Sequence, residues 1–97
     1  MVRNPEDTVS PAFAAALKAL PSGTFTGYAQ SRRYIVTKTV FNAGKSLKLV
    51  AEELGGQDYI SLNYYRLETG ARLFPCEMTT KKVIAFVLAL RPDHEEA

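Results

Sequence analysis

Ninety-seven residues, 46% of them hydrophobic and 23% charged, suffice for one globular domain whose core needs neither disulfide nor metal. The lone cysteine, Cys76, excludes an intramolecular disulfide, and the longest apolar run, Val83 to Leu90, falls far short of the ~20 residues of a membrane-spanning helix. The formal charge of +2 is uneven: residues 1–7 and 91–97 hold five of the ten acids but two of the twelve bases, so the stretch between them is basic and attracts anions modestly.

Both ends are polar, and the expected organisation is a flexible N-terminus over 1–9, a single domain over 10–91 and a flexible tail over 92–97. No charged-then-apolar leader opens the chain, so the expected location is the cytoplasm. Ser10 suits a helix N-cap and Pro11 the first helical position, while Phe13, Ala16, Leu17 and Leu20 follow in one stripe until Pro21-Ser22-Gly23 ends it. From Thr24 to Phe41 the residues turn β-branched and aromatic, predicting strands near 24–30 and 33–41 with a bend at Ser31-Arg32. Asn42-Ala43-Gly44-Lys45 is the next turn.

Ser46 to Leu54 reads two ways. As a helix, Ser46 caps a stripe of Leu47, Val50, Ala51 and Leu54, with Gly55 ending it. As a strand, it pairs with Asp58–Leu67 across Gly55-Gly56, residues that both accept positive φ. In that register Ala51 faces Ile60, Leu49 faces Leu62 and Leu47 faces Tyr64 on one side. Glu52 faces Tyr59, Val50 faces Ser61 and Lys48 faces Asn63 on the other. The hairpin explains two segments and their spacer together, and it is the expectation; the helix is the competing reading. Glu68-Thr69-Gly70-Ala71 predicts a turn and Arg72–Pro75 a short strand. Thr79 or Thr80 then caps a last helix that runs through Leu90 and stops at Arg91-Pro92. The expected fold class is α+β, an antiparallel meander of about five strands with an N-terminal and a C-terminal helix.

Candidate chemistry is sparse. Gly44-Lys45-Ser46 resembles the end of a phosphate-binding loop, but Thr39 stands where that loop needs its first glycine. Cys76 precedes a helix whose first turn holds Lys81 and Lys82, a setting that favours a thiolate. The only histidine, His94, lies in the expected tail, so packing is the expected role of Cys76 and a reactive thiol the competing one. One histidine and one cysteine cannot supply a zinc site, and no cofactor is expected. Adjacent Glu52 and Glu53 point to opposite faces of a strand and form no acid/base pair. Tyr59, Ser61, Asn63 and Tyr65 share a strand face with Lys48 opposite, the interleaving of aromatics and bases that stacks single-stranded nucleic acid. Thr79, Thr80, Lys81 and Lys82 form a second candidate, an anion site at a helix N-terminus.

Arg32-Arg33-Tyr34 with Val36-Thr37, Ala51-Glu52-Glu53-Leu54-Gly55-Gly56 with Asp58-Tyr59-Ile60-Ser61, and Pro75-Cys76-Glu77-Met78 with Lys82-Val83 together resemble a family of short uncharacterised bacterial proteins, over roughly Gly23 to Leu90. Some members carry a peptide methionine sulfoxide reductase label. The better-known reductases set their nucleophile in Gly-Cys-Phe-Trp, and this chain has no tryptophan. The resemblance implies a bacterial source and carries no functional residue over. The leading expectation is a non-enzymatic binding or interaction domain, with a homodimer or another protein as partner. A thiol-dependent redox enzyme using Cys76 and a nucleic-acid-binding face are the alternatives.

Overall fold

A computed structural model describes residues 9–67 and 70–93. The order is α1 (Pro11–Ala19), β1 (Gly23–Ala29), β2 (Arg32–Phe41), a 3-10 turn (Asn42–Gly44), β3 (Ser46–Glu53), β4 (Tyr59–Leu67), β5 (Gly70–Pro75), α2 (Thr80–Ala89) and β6 (Arg91–Pro92). The strands form one antiparallel sheet in the order β5-β4-β3-β2-β1-β6. The first five are therefore a meander, and α2 carries the chain across to the far edge, where β6 lies beside β1.

The ambiguous segment is a strand. Its register with β4 pairs Leu47 with Tyr64, Leu49 with Leu62 and Ala51 with Ile60, the pairing expected from the Gly55-Gly56 spacer. Gly55 takes φ 77°, which a side chain would resist. The β2–β3 turn is tighter: Asn42, Ala43 and Gly44 are successively left-handed, at φ 55°, 56° and 90°. The Asn42 amide Nδ2 donates to Ser46 Oγ at 2.9 Å across that turn.

Alternation then builds the core. Tyr34 and Val36, Leu47, Leu49 and Ala51, Ile60, Leu62 and Tyr64, and Leu73 all face one side of the sheet. Both helices pack there, burying Phe13 and Leu17 from α1, Val83, Phe86 and Val87 from α2, and the residue that follows each, Leu20 and Leu90. The Tyr34 and Phe86 rings meet edge to face at 4.8 Å, and Phe13 lies 6.4 Å from Tyr64. Val9, expected in the flexible N-terminus, packs against this core; the rest of that segment lies outside the described residues.

At nine residues α1 is too short to persist alone. Ser10 Oγ accepts from Phe13 N at 3.1 Å at its start. Its other end is held by a lysine. Lys38, 5% exposed, points into the covered side and its Nζ donates to the carbonyls of Leu17, Lys18 and Leu20 at 3.0, 3.0 and 2.6 Å. A cation there meets both the orphan carbonyls and the negative end of the helix dipole. Burial pushes its pKa below the ordinary lysine value.

At the C-terminal end, Arg91–Pro92 pairs with Tyr28 and Gly27 as a sixth strand, beyond the five expected. Pro92 and Asp93, expected to begin a tail, are held against β1: Asp93 N donates to Thr26 O at 2.9 Å. The approach needs glycine at 27, where a Cβ would come within 2.6 Å of Arg91 O. The expected tail from His94 onward, like Glu68 and Thr69 of the expected β4–β5 turn, lies outside the described residues.

Candidate functional site

Directly paired residues of an antiparallel sheet point to the same face. The face away from the helices therefore carries four cross-strand rows. They are Thr26–Ile35–Glu52–Tyr59, Thr24–Thr37–Val50–Ser61, Thr39–Lys48–Asn63–Phe74 and Phe41–Ser46–Tyr65–Arg72. Tyr28 and Arg33 extend the face at the β1–β2 end. Six of the large hydrophobic side chains left exposed among the described residues lie here: Tyr28, Ile35, Phe41, Tyr59, Tyr65 and Phe74. They fall in two groups, Tyr28, Ile35 and Tyr59 at one end and Phe41, Tyr65 and Phe74 at the other, with the Thr24–Thr37–Val50–Ser61 row between them.

Tyr59, Ser61, Asn63, Tyr65 and Lys48, singled out from the sequence, all lie on this open face. The face has two unlike ends. Around Tyr59 the side chains satisfy one another. Its hydroxyl donates to Glu77 Oε1 at 3.2 Å, a bond that raises the phenol pKa, and Lys82 Nζ stands 6.0 Å from its ring centre. Arg33 lies 5.0 Å over the Tyr28 ring and donates to Asp93 Oδ2 at 2.6 Å, where Thr26 Oγ1 also donates. Around Tyr65 the cross-strand neighbours Ser46 and Arg72 are engaged, but rings and one lysine remain exposed. Its ring meets Phe74 edge to face at 5.7 Å, Phe41 is 47% exposed, and Lys48 makes no hydrogen bond or ion pair among the described residues. Phe41 and Phe74 were not among the sequence candidates, although Phe74 alternates with buried Leu73 and so had to face outward once Leu73 faced in.

Cys76 sits at this face's β4–β5 edge, half-buried. Its backbone N–H donates to Ser61 O at 2.9 Å and Asn63 Nδ2 approaches Sγ at 3.7 Å. No histidine is among the described residues to act as its base.

The N-terminus of α2 is occupied by its own chain. Thr79 Oγ1 accepts from Lys82 N at 3.1 Å, and the Lys82 ammonium donates to Asp58 Oδ1 at 2.7 Å. Lys81 is exposed, beside Ile84 and Leu88, and Thr80 is half-buried. Gly44-Lys45-Ser46 joins two antiparallel strands, so no helix follows to hold a phosphate.

Asp58 instead anchors a structural network at the end of the covered side. Tyr34 OH donates to its Oδ2 at 2.6 Å, and Arg32 lies 3.9 Å from the same oxygen. Burial, then the Asp58 bond, pushes the Tyr34 phenol up to about 12, while Lys82 and Tyr34 hold the Asp58 carboxyl below its usual value. Glu53 accepts from Asp58 N at 3.2 Å, and its neighbour Glu52 projects from the open face, so the two carboxylates do part company.

On the helical side an apolar groove of about 490 Å³ runs between Ala16, Leu20, Val87 and Leu88. No helix of the described residues is long and apolar enough to cross a membrane, and no group of three or more potential metal ligands gathers among them. Comparison with protein-family models, with curated proteins and with solved structures finds no match to this chain.

Proposed function

We propose that this domain acts by binding, not by catalysis, and that the open face of its sheet is the contact surface. The observation that carries the reading is the gathering of Tyr28, Ile35, Phe41, Tyr59, Tyr65 and Phe74 on one uncovered face. A core residue exposed by accident is common, but six on one face cost solubility and invite association. A cytoplasmic setting suits the unpaired Cys76 and belongs to the same proposal. The thiol redox reading is the weaker one, because Asn63 beside Cys76 offers a hydrogen bond but no base.

A photo-cross-linking residue placed at Val50, central on the open face, tests this in living cells against the same residue at Leu88 on α2. The expected result is adducts from position 50 and few from 88. Adducts from 88 alone would overturn the reading.

A further inference from the structure

We infer that the Tyr65 end of the open face is a seat for a single strand of nucleic acid. This rests on the open face being the contact surface and adds what that surface takes.

Three features meet there. The first is a group of partly exposed aromatic rings. Phe41 and Tyr65 flank Ser46 in one cross-strand row, with Phe74 against Tyr65 in the next. Neighbouring strands lie ~4.8 Å apart, so Phe41 and Tyr65 stand on backbones roughly 10 Å apart with only a serine between them. Ser46 is 9% exposed and its Oγ is tied to the Asn42 amide, so the backbone between the two rings is covered and fixed. An unpaired base can stack on the exposed part of either ring.

The second is charge. Among the described residues, Lys48 in the Thr39–Lys48–Asn63–Phe74 row has no carboxylate beside it on the face, and Lys45 is exposed at the nearby turn; Arg72, in the next row, is already engaged. The carboxylates of Glu52, Glu77 and Asp93 belong to the opposite end. Glu68, in the β4–β5 turn, is outside the described residues. A polyanion laid on the face therefore meets ammonium groups unpaired among the described residues at the Tyr65 end and cations already paired with carboxylates at the Tyr59 end.

The third is polar groups of the right size. Asn63 lies between Lys48 and Phe74 with its Oδ1 able to accept from a base edge or sugar while its Nδ2 turns to Cys76, and Thr39 flanks Lys48 on the other side. Bases must be unpaired to lie on such rings, so a duplex does not satisfy the site.

The experiment is a fluorescence-anisotropy titration of the full chain with a labelled mixed-sequence 12-mer, as single-stranded DNA, single-stranded RNA and duplex DNA, at several salt concentrations. Expected are micromolar or tighter binding of the single strands and clear preference over the duplex. The log–log salt slope should be about −0.7 for each phosphate neutralised. Tyr65→Ala and Phe74→Ala should each weaken binding ~5- to 100-fold. Lys48→Gln should flatten the slope by about one phosphate, and Leu88→Ala, on α2 and off the open face, should leave affinity within about twofold. Urea midpoints for each variant confirm that these exposed substitutions leave the fold intact.

Binding indifferent to Tyr65→Ala and Phe74→Ala, or equal for duplex, overturns the inference. No binding, together with a concentration-dependent dimer that Phe74→Ala dissolves in sedimentation, overturns it too but leaves the open face as the contact surface for a second copy. No binding and no open-face cross-link defeat both.

Discussion

The two faces of this sheet are made by the same strands, and β4 shows the difference in four consecutive positions. Ile60 and Leu62 are 1% exposed or less, while Ser61 and Asn63, alternating with them, are only half-buried. The covered face is aliphatic and continuous and receives both helices. The open face alternates aromatic and aliphatic groups with Thr, Ser, Asn, Lys and Glu, and a second helical layer would bury Lys48 and Glu52 without partners. Polar spacing keeps the face wet, while its rings remain available. The lesson is that a sheet can be covered by helices on one side and kept open on the other by the polar residues spaced among its rings.

The contrast can be broken by substitution, and the largest effect belongs to the covered side. Leu62→Ala should lower stability by ~2–5 kcal/mol, read as a urea-midpoint shift, because a fully buried leucine leaves a cavity. A midpoint within error of wild type would mean that the covered face is not the core.

Lys38→Met comes next. It keeps the buried stem but withdraws the donor from three carbonyls at the end of α1, and should cost ~1–3 kcal/mol, with helicity lost by circular dichroism. A gain in stability would show that desolvating the ammonium outweighs its three bonds.

Tyr34 sharpens the comparison through pH. Its phenol pKa is raised to about 12 in the folded chain against 10 when unfolded, so the unfolded state loses its proton first. The stability this contributes is complete below pH 10 and is lost as pH rises towards 12. Stability should fall across that window in wild type and fall less in Tyr34→Phe, followed by denaturation at pH 9 and pH 11.

The smallest effect belongs to the open face. Phe74→Ser should move the urea midpoint by no more than ~0.5 kcal/mol, since the ring is 44% exposed on the uncovered side. A loss comparable with Leu62→Ala would mean that the open face is a second core and not a contact surface.

Much of this was legible in the sequence where local rules fix the outcome. The Ser10 and Thr79 caps set the helices, and Gly55-Gly56 set the register of β3 on β4. Period-two alternation then put Tyr59, Ser61, Asn63, Tyr65 and Lys48 on one face without further information. What escaped depends on distant parts of the chain. β6 has only two residues and no pattern of its own; it exists because α2 delivers Arg91 to a glycine at 27. Lys38 looks like a surface charge until α1 lies across β2 and turns three carbonyls toward it. Lys82 looked free to bind an anion because its partner, Asp58, is 24 residues earlier. The redox candidate Cys76 was legible as a position and not as an environment, since Asn63 reaches it from another strand.

The meander also sets an order of events during synthesis. Every strand from β2 to β5 pairs with the one made just before it, so the five hairpinned strands need nothing beyond Pro75. The outer edge of β1 is different: its neighbour is the last strand made, and it stays open until Arg91 and Pro92 emerge. Until α2 emerges the growing sheet is covered by α1 alone, and until β6 follows the outer edge of β1 is bare, the state in which strands from two nascent copies can join. Making α1 first limits that exposure, because Phe13 and Leu17 are already waiting when Val36 and Leu49 appear.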